Sequence, residues 1–151
     1  MSQFTSHRFE AYYPTSGLGA FPNYAVQVGV DQDGSGIYLG RCFHNGDTIP
    51  AKVIPEKNAA YIAWGGEEIL VNNVEVLRQV QYNWVSASNG EVPPTAVAFG
   101  STSDGEVLYA GRANHEGSIT PGKVQPSHGC CYIPFDGKEV ACKEYEVLCL
   151  D

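Results

Sequence analysis

The 151-residue sequence is short of positive charge. Nine Lys and Arg stand against 17 Asp and Glu, a formal net charge of −8 with a pI near 4.9. Phosphate binding needs clustered Lys and Arg, so nucleic acid is not the expected partner, and an anionic membrane surface is disfavoured on the same ground. No apolar run approaches the roughly 18 residues of a membrane-spanning helix. The stretch Met1–Arg8 is polar and has no signal-peptide apolar segment. The expected location is therefore the cytosol, or release by a route without a signal peptide. There is no CxxC, the five cysteines are odd in number, and adjacent Cys130 and Cys131 cannot bridge without strain. Reduced thiols, some buried as small hydrophobes, are expected instead of a disulfide framework. No zinc-like ligand spacing occurs, so no metal or cofactor is expected. Finally, no window of about 11–18 residues carries an i, i+3, i+4, i+7 apolar stripe.

What is present points to strands and turns. Glycine (17) and proline (9) are frequent, and nine Tyr, six Phe and two Trp favour extended structure. Short alternating or aromatic runs occur at Ala25–Val30, Ile37–Leu39, Tyr61–Trp64, Ala96–Gly100, Val107–Ala110 and Tyr132–Phe135. Val74–Asn83 alternates and is expected to be the longest strand. The reading is all-β, with strands of about 4–7 residues.

The dominant feature is an internal repeat. Residues 21–77 and 92–148 overlay without a gap at a shift of 71, with 22 identities in 57 columns. The overlay reaches back to Tyr13 against Trp84, so the copies are taken as 13–77 and 84–148. Some shared positions are architectural: glycines from Gly29/Gly100 to Gly66/Gly137, Pro50/Pro121 and Pro55/Pro126. Others are polar: Asp33/Asp104, Arg41/Arg112, His44/His115, Lys52/Lys123, Glu68/Glu139 and Glu75/Glu146. The join 78–82 has no Gly, Pro or Ser and reads as strand. A copy of about 65 residues is marginal alone, so the two are expected to form one cooperative unit about a pseudo-twofold axis.

These motifs, LYAGRANHEG, PGKV, the GKE turn and the terminal YEVL, resemble the DM-nine repeat, which also occurs in natterin-like proteins. The first copy carries IYLGRCFHNG, Pro50-Ala51-Lys52-Val53, GEE and VEVL. The resemblance implies an all-β fold of two tandem repeats, often a homodimer. It also implies mannose binding, or binding of mannose-containing glycans, with one site per repeat and a part in innate immune pattern recognition. In that pattern the Lys of PGK and a carboxylate in the turn upstream hold the sugar. Here these positions are Lys52 with Asp31, and Lys123 with Thr102, a departure that Asp104 is positioned to offset; Asp33 is its counterpart. The acid after the HxG turn is Asp47 in the first copy and Ser118 in the second, where Glu116 lies close by. Arg41, Arg112, Glu68 and Glu139 are candidates for supporting positions.

The chemistry is sound by itself. A Lys ammonium donates and a carboxylate accepts, so together they clamp neighbouring sugar hydroxyls. Tyr38, Tyr61, Tyr109 or Tyr132 offers a face for the ring's C–H groups. Plainer readings stand beside it. A single Lys is usually solvated, the aspartates suit turns, His44 and His115 suit packing, and the arginines suit ion pairs with Glu68/Glu139 or Glu75/Glu146. A Cys131–His128 nucleophile pair has Ala60 and Lys57 at the equivalent positions, and Gly100-Ser101-Thr102-Ser103 lacks the second Gly of a GxSxG elbow. The expectation is a non-enzymatic lectin, with a protein-interaction or structural module as the alternative.

Overall fold

A computed structural model of the chain describes residues 2–3, 8–14, 20–78 and 81–150. It is built almost wholly of strands. The first half carries β1 (Ser2–Gln3), β2 (Phe9–Tyr12), β3 (Gln27–Val30), β4 (Gly36–His44), β5 (Asp47–Ile54), β6 (Ala59–Trp64), β7 (Glu67–Val71) and β8 (Val74–Leu77). The second carries β9 (Tyr82–Ser88), β10 (Val97–Ser101), β11 (Val107–His115), β12 (Ser118–Gln125), β13 (Cys130–Phe135), β14 (Lys138–Cys142) and β15 (Glu144–Leu150). Single 3-10 turns, Pro55–Lys57 and Pro126–His128, follow β5 and β12. β11 to β14 match β4 to β7 in length and order, at the same offset as the sequence overlay. No helix among the described residues is long and apolar enough to cross a membrane.

Four two-residue turns set the hairpins: Asn45-Gly46, Gly65-Gly66, Glu116-Gly117 and Asp136-Gly137. All eight residues have positive φ, from 46° to 86°, the backbone of a tight hairpin turn that follows strand twist. The halves exchange strands. β3 pairs with β12 at Val30↔Ile119, and β10 pairs with β5 at Ser101↔Thr48. β7 meets β14 at Glu67↔Lys138. The pairings run β4–β3–β12–β13–β14–β7–β6–β5 and back to β4, a closed eight-stranded barrel with further strands outside it. Closure leaves those eight strands without a free edge.

Two expectations are corrected. Several strands are longer than the sequence pattern suggests: β4 and β11 have nine residues, and β5 and β12 have eight. Pro50 and Pro121 sit inside β5 and β12 because each falls where the strand changes its second neighbour. Beside Pro50, Thr48 pairs with β10 and Lys52 with β6, so no ladder needs the missing N–H. The long strand expected over Val74–Asn83 is divided. β8 ends at Leu77, Arg78 bridges Ala25, Gln81 is a bend and β9 starts at Tyr82. Gln79 and Val80 lie outside the described residues, as does Gly19. The division has a topological cause: β8 pairs with β2 and β4, whereas β9 pairs with β15 in the other half.

Each half has its own core, around Ile49, Val53, Ile62 and Val76 or around Val124, Cys131, Ile133 and Val147. A third cluster joins them, with Val28, Leu39 and Leu77 against Phe99, Ala110 and Leu148. Cys42, Cys130, Cys131 and Cys149 are buried as small apolar groups.

The strand exchange needs close approach. A Cβ on Gly29 would run into the Ile119 carbonyl oxygen, and one on Gly100 into that of Thr48. Gly29→Ala and Gly100→Ala are each expected to cost about 1–3 kcal/mol or more by overpacking. Urea unfolding measures this, with exposed Glu56→Ala expected within about 0.5 kcal/mol of the parent. A loss that small at both glycines would contradict the crossing.

Candidate functional site

Lys52 lies on β5 between Leu39 and Tyr61 of the neighbouring strands. It is 5% exposed, so the solvated-lysine reading fails. Its Nζ stands 2.6 Å from Glu68 Oε2 and donates to the Pro134 carbonyl of the other half at 2.7 Å. The Tyr61 ring centre is 5.2 Å away and that of Phe135 5.9 Å. Glu68 Oε1 accepts the Gly137 N–H at 2.9 Å, and its own N–H donates to the Gly137 carbonyl at 3.1 Å. The second half mirrors this. Lys123, 7% exposed, lies 2.9 Å from Glu139 Oε2 and 5.5 Å from the Tyr132 ring centre. Glu139 Oε1 accepts the Gly66 N–H at 2.9 Å. Glu139 Oε2 is buried, and its contact with Lys123 is an ion pair without hydrogen-bond direction.

A cavity of about 280 Å³ opens at the Lys52–Glu68 pair. The first half contributes Asp31, Gln32, Lys52, Ile54, Lys57, Tyr61 and Glu68, and the second Glu116, Phe135 and Asp136. The site is thus built by both halves. Asp31 holds its place in the β3–β4 turn by accepting the Gln32 N–H at 2.8 Å and the Lys57 ammonium at 2.8 Å. Burial raises the Asp31 carboxyl, but Lys57, the Gln32 N–H and the nearby ammonium of Lys52 together bring it below the usual range. Asp33 stands 3.1 Å from the same Lys57 ammonium, and its carboxyl is held down to about 2, chiefly by the Ser35 N–H. Lys57 is raised in turn, first by its hydrogen bond to Asp31.

The structure thus gathers Asp31, Lys52, Glu68 and Glu116 in one cavity and rearranges the rest. The carboxylate paired with each central lysine is Glu68 or Glu139, not the acid of the upstream turn. Glu116 faces the first-half cavity and not the second site, where its proximity to Ser118 in sequence suggested a role. Gln32 Nε2 donates to the Glu116 carbonyl at 2.7 Å. Asp47 is turned to the opposite junction, accepting from Trp64 Nε1 at 3.0 Å and the Ser103 N–H at 2.8 Å. Asp104 is exposed, and among the described residues the ion pair of Lys123 is with Glu139 alone. Arg41 and Arg112 do not support the lysines. They pair across strands with Glu75 and Glu146, each at 2.8 Å, and cover the Phe9 and Trp84 rings. His44 packs on Trp64 and His115 on Phe135. The Cys131–His128 pair is not formed. Cys131 is fully buried with its thiol pushed up, and His128 Nδ1 meets Tyr132 Oη at 2.9 Å.

Sequence reasoning missed Lys57, Gln32, Phe135 and Asp136 as cavity residues. Lys57 carried a faint signal, as the basic residue ending a Pro-led turn just after β5. Phe135 and Asp136 carried none, because they come from the other copy, far along the chain from Lys52.

Three comparisons with known proteins bear on the chain. A family model described as the DM9 repeat matches residues 31–142. No curated protein matches the sequence. The crystal structure of the nematode sperm cell motility protein MFP2B is similar in fold, with a TM-score of 0.66 and 13% identity over 99% of this chain and 47% of that one. The chain therefore spans about half the length of that protein.

Asp33 tests the electrostatics of the rim. A depressed carboxyl contributes stability above its ordinary value of 3.8, and that contribution is lost as pH falls towards about 2. Carbon NMR of the Asp33 carboxyl should show a midpoint near 2, moving upward in Lys57→Met. A wild-type midpoint at 3.8 would contradict the arrangement.

Proposed function

Because the chain belongs to the DM9 repeat family, we propose that it is a carbohydrate-binding protein whose first site is the cavity at Lys52. One observation carries the reading. A buried ammonium–carboxylate pair, a second carboxylate and an aromatic ring share a cavity of about 280 Å³, near the small end of ligand pockets. The Lys52 ammonium retains a donor beyond Glu68 and Pro134, Asp31 retains acceptor capacity, and Tyr61 supplies a ring beside them. Such a set suits vicinal hydroxyls of a pyranose, with mannose and mannose-containing glycans the proposed ligands.

The same reading gives the second half a related site at Lys123, Glu139 and Tyr132. Thr102 stands there in place of Asp31, so that site is the weaker of the two. Single sites of this kind bind in the millimolar to micromolar range, roughly, because few ligand atoms are buried. Two per chain, doubled in a homodimer, would gain by avidity on a glycan-coated surface, which suits innate pattern recognition. The proposal is binding without catalysis. The alternative, a protein-interaction module, draws its support from the likeness of fold to a motility protein.

The decisive variants respect the burial of the pair. Lys52→Ala alone leaves the Glu68 carboxylate uncompensated and should cost about 3–5 kcal/mol of stability. Lys52→Met with Glu68→Gln removes both charges and keeps an acceptor for the Gly137 N–H, so the fold should survive. Calorimetry with methyl α-mannoside is expected to show at least about a tenfold loss of affinity at the first site in this double variant. Lys123→Met with Glu139→Gln should remove the second site. Wild-type protein that gives no heat with any saccharide would sink the reading in favour of the interaction module.

A further inference from the structure

The charge of the first cavity is unbalanced, and the surplus comes from the other half of the chain. Four acidic residues line it (Asp31, Glu68, Glu116, Asp136) against two basic ones, Lys52 and Lys57. Both cations are already engaged, Lys52 with Glu68 at 2.6 Å and Lys57 with Asp31 at 2.8 Å. Lys57 also serves Asp33 at 3.1 Å. Glu116 and Asp136 are left over. Among the described residues Glu116 meets one cationic candidate, His115 at 3.6 Å, which carries charge only when protonated. Asp136 is exposed, and among the described residues neither lysine of the two central pairs is its partner.

We propose that Glu116 and Asp136 make this cavity select its ligand by charge, admitting neutral and amino sugars and rejecting acidic ones such as uronic and sialic acids. The inference rests on the carbohydrate reading and goes further by naming the ligand class. An acidic sugar entering the cavity meets two ammonium groups already paired with carboxylates and two further acidic residues in the lining. A neutral sugar is indifferent to that field, and an ammonium on the sugar is drawn to it. Both residues sit at the first position of a tight turn with left-handed backbone, φ 46° for Glu116 and 52° for Asp136. The equivalent turns of the other half have Asn45 and Gly65, which tolerate that backbone better and carry no charge. The acids are therefore local to the first cavity and are not required by the hairpins.

The test uses three methyl α-mannosides matched at carbon 6: the parent alcohol, the 6-amino-6-deoxy sugar and the uronate. Calorimetry at low salt should rank them amine at or above alcohol, with the uronate at least about tenfold weaker than the alcohol. In Glu116→Asn with Asp136→Gly that gap should close to about threefold or less, whatever the change in affinity for the alcohol itself. About 0.5 M salt should narrow it in the wild type, since both acids are solvent-exposed. The variant should melt at or above the wild-type temperature, so loss of fold does not confuse the result. The two single variants should each close part of the gap. Equal binding of uronate and alcohol, or a gap untouched in the double variant, overturns the proposal and leaves the carbohydrate site standing. Failure of all three sugars to bind overturns both.

Discussion

Two buried ammonium groups at the seam between the halves govern this structure. An ion pair taken out of water repays its desolvation only when both partners are well placed and their remaining valences are met. Lys52 meets that condition through Glu68 and the Pro134 carbonyl, whereas Lys123 is held to Glu139 by charge, with Glu139 Oε2 buried outside any hydrogen bond. Each of those carboxylates has its other oxygen anchored on a turn N–H of the opposite half. The contact is reciprocal, with Glu68 on Gly137 and Glu139 on Gly66. A slip of either hairpin along its partner would strand two carboxylates and two ammonium groups together, so the pairs hold the register between halves as well as the site.

The strand exchange works in the same direction. β3 and β10, paired with β4 and β11 in their own halves, also pair with β12 and β5 of the other, through glycines where no side chain fits. Closing the barrel this way brings the β11–β12 and β13–β14 turns beside the β3–β4 turn. A cavity at that place necessarily draws walls from both halves. It also follows that two cavities on one scaffold need not be alike. Asp31, Lys57, Glu116 and Asp136 around the first correspond to Thr102, His128, Asn45 and Gly65. The central Lys–Glu pair is common to both, and the rim is where they diverge.

Much of this is legible in the residues. Glycine, proline and aromatic content with no helical stripe points to strands. The self-overlay points to duplicated elements, and the polar pairs Lys52/Lys123 and Glu68/Glu139 stand out in it. Reading those four residues as partners is harder. The upstream aspartate is the natural counter-ion to Lys52 on the family pattern, but Asp31 is drawn to Lys57, just past the end of β5. Strand ends are obscured where alternation and pairing part company. Polar residues such as Arg41 and His44 interrupt an apolar pattern without interrupting a ladder, and Val74–Asn83 alternates across a point where the chain changes partners.

The strand-and-turn character, the doubled layout and the identity of the charged residues that recur are written along the chain. These are properties of local periodicity and composition, which survive in one dimension. The folded arrangement is what makes Glu68 and not Asp31 the partner of Lys52, turns Asp47 away, and has Glu116 and Asp136 close a cavity begun at Asp31 in the other half. Those outcomes depend on distances of a few ångströms between segments remote from one another along the chain. Such distances are set by barrel closure and strand exchange, and sequence spacing does not encode them.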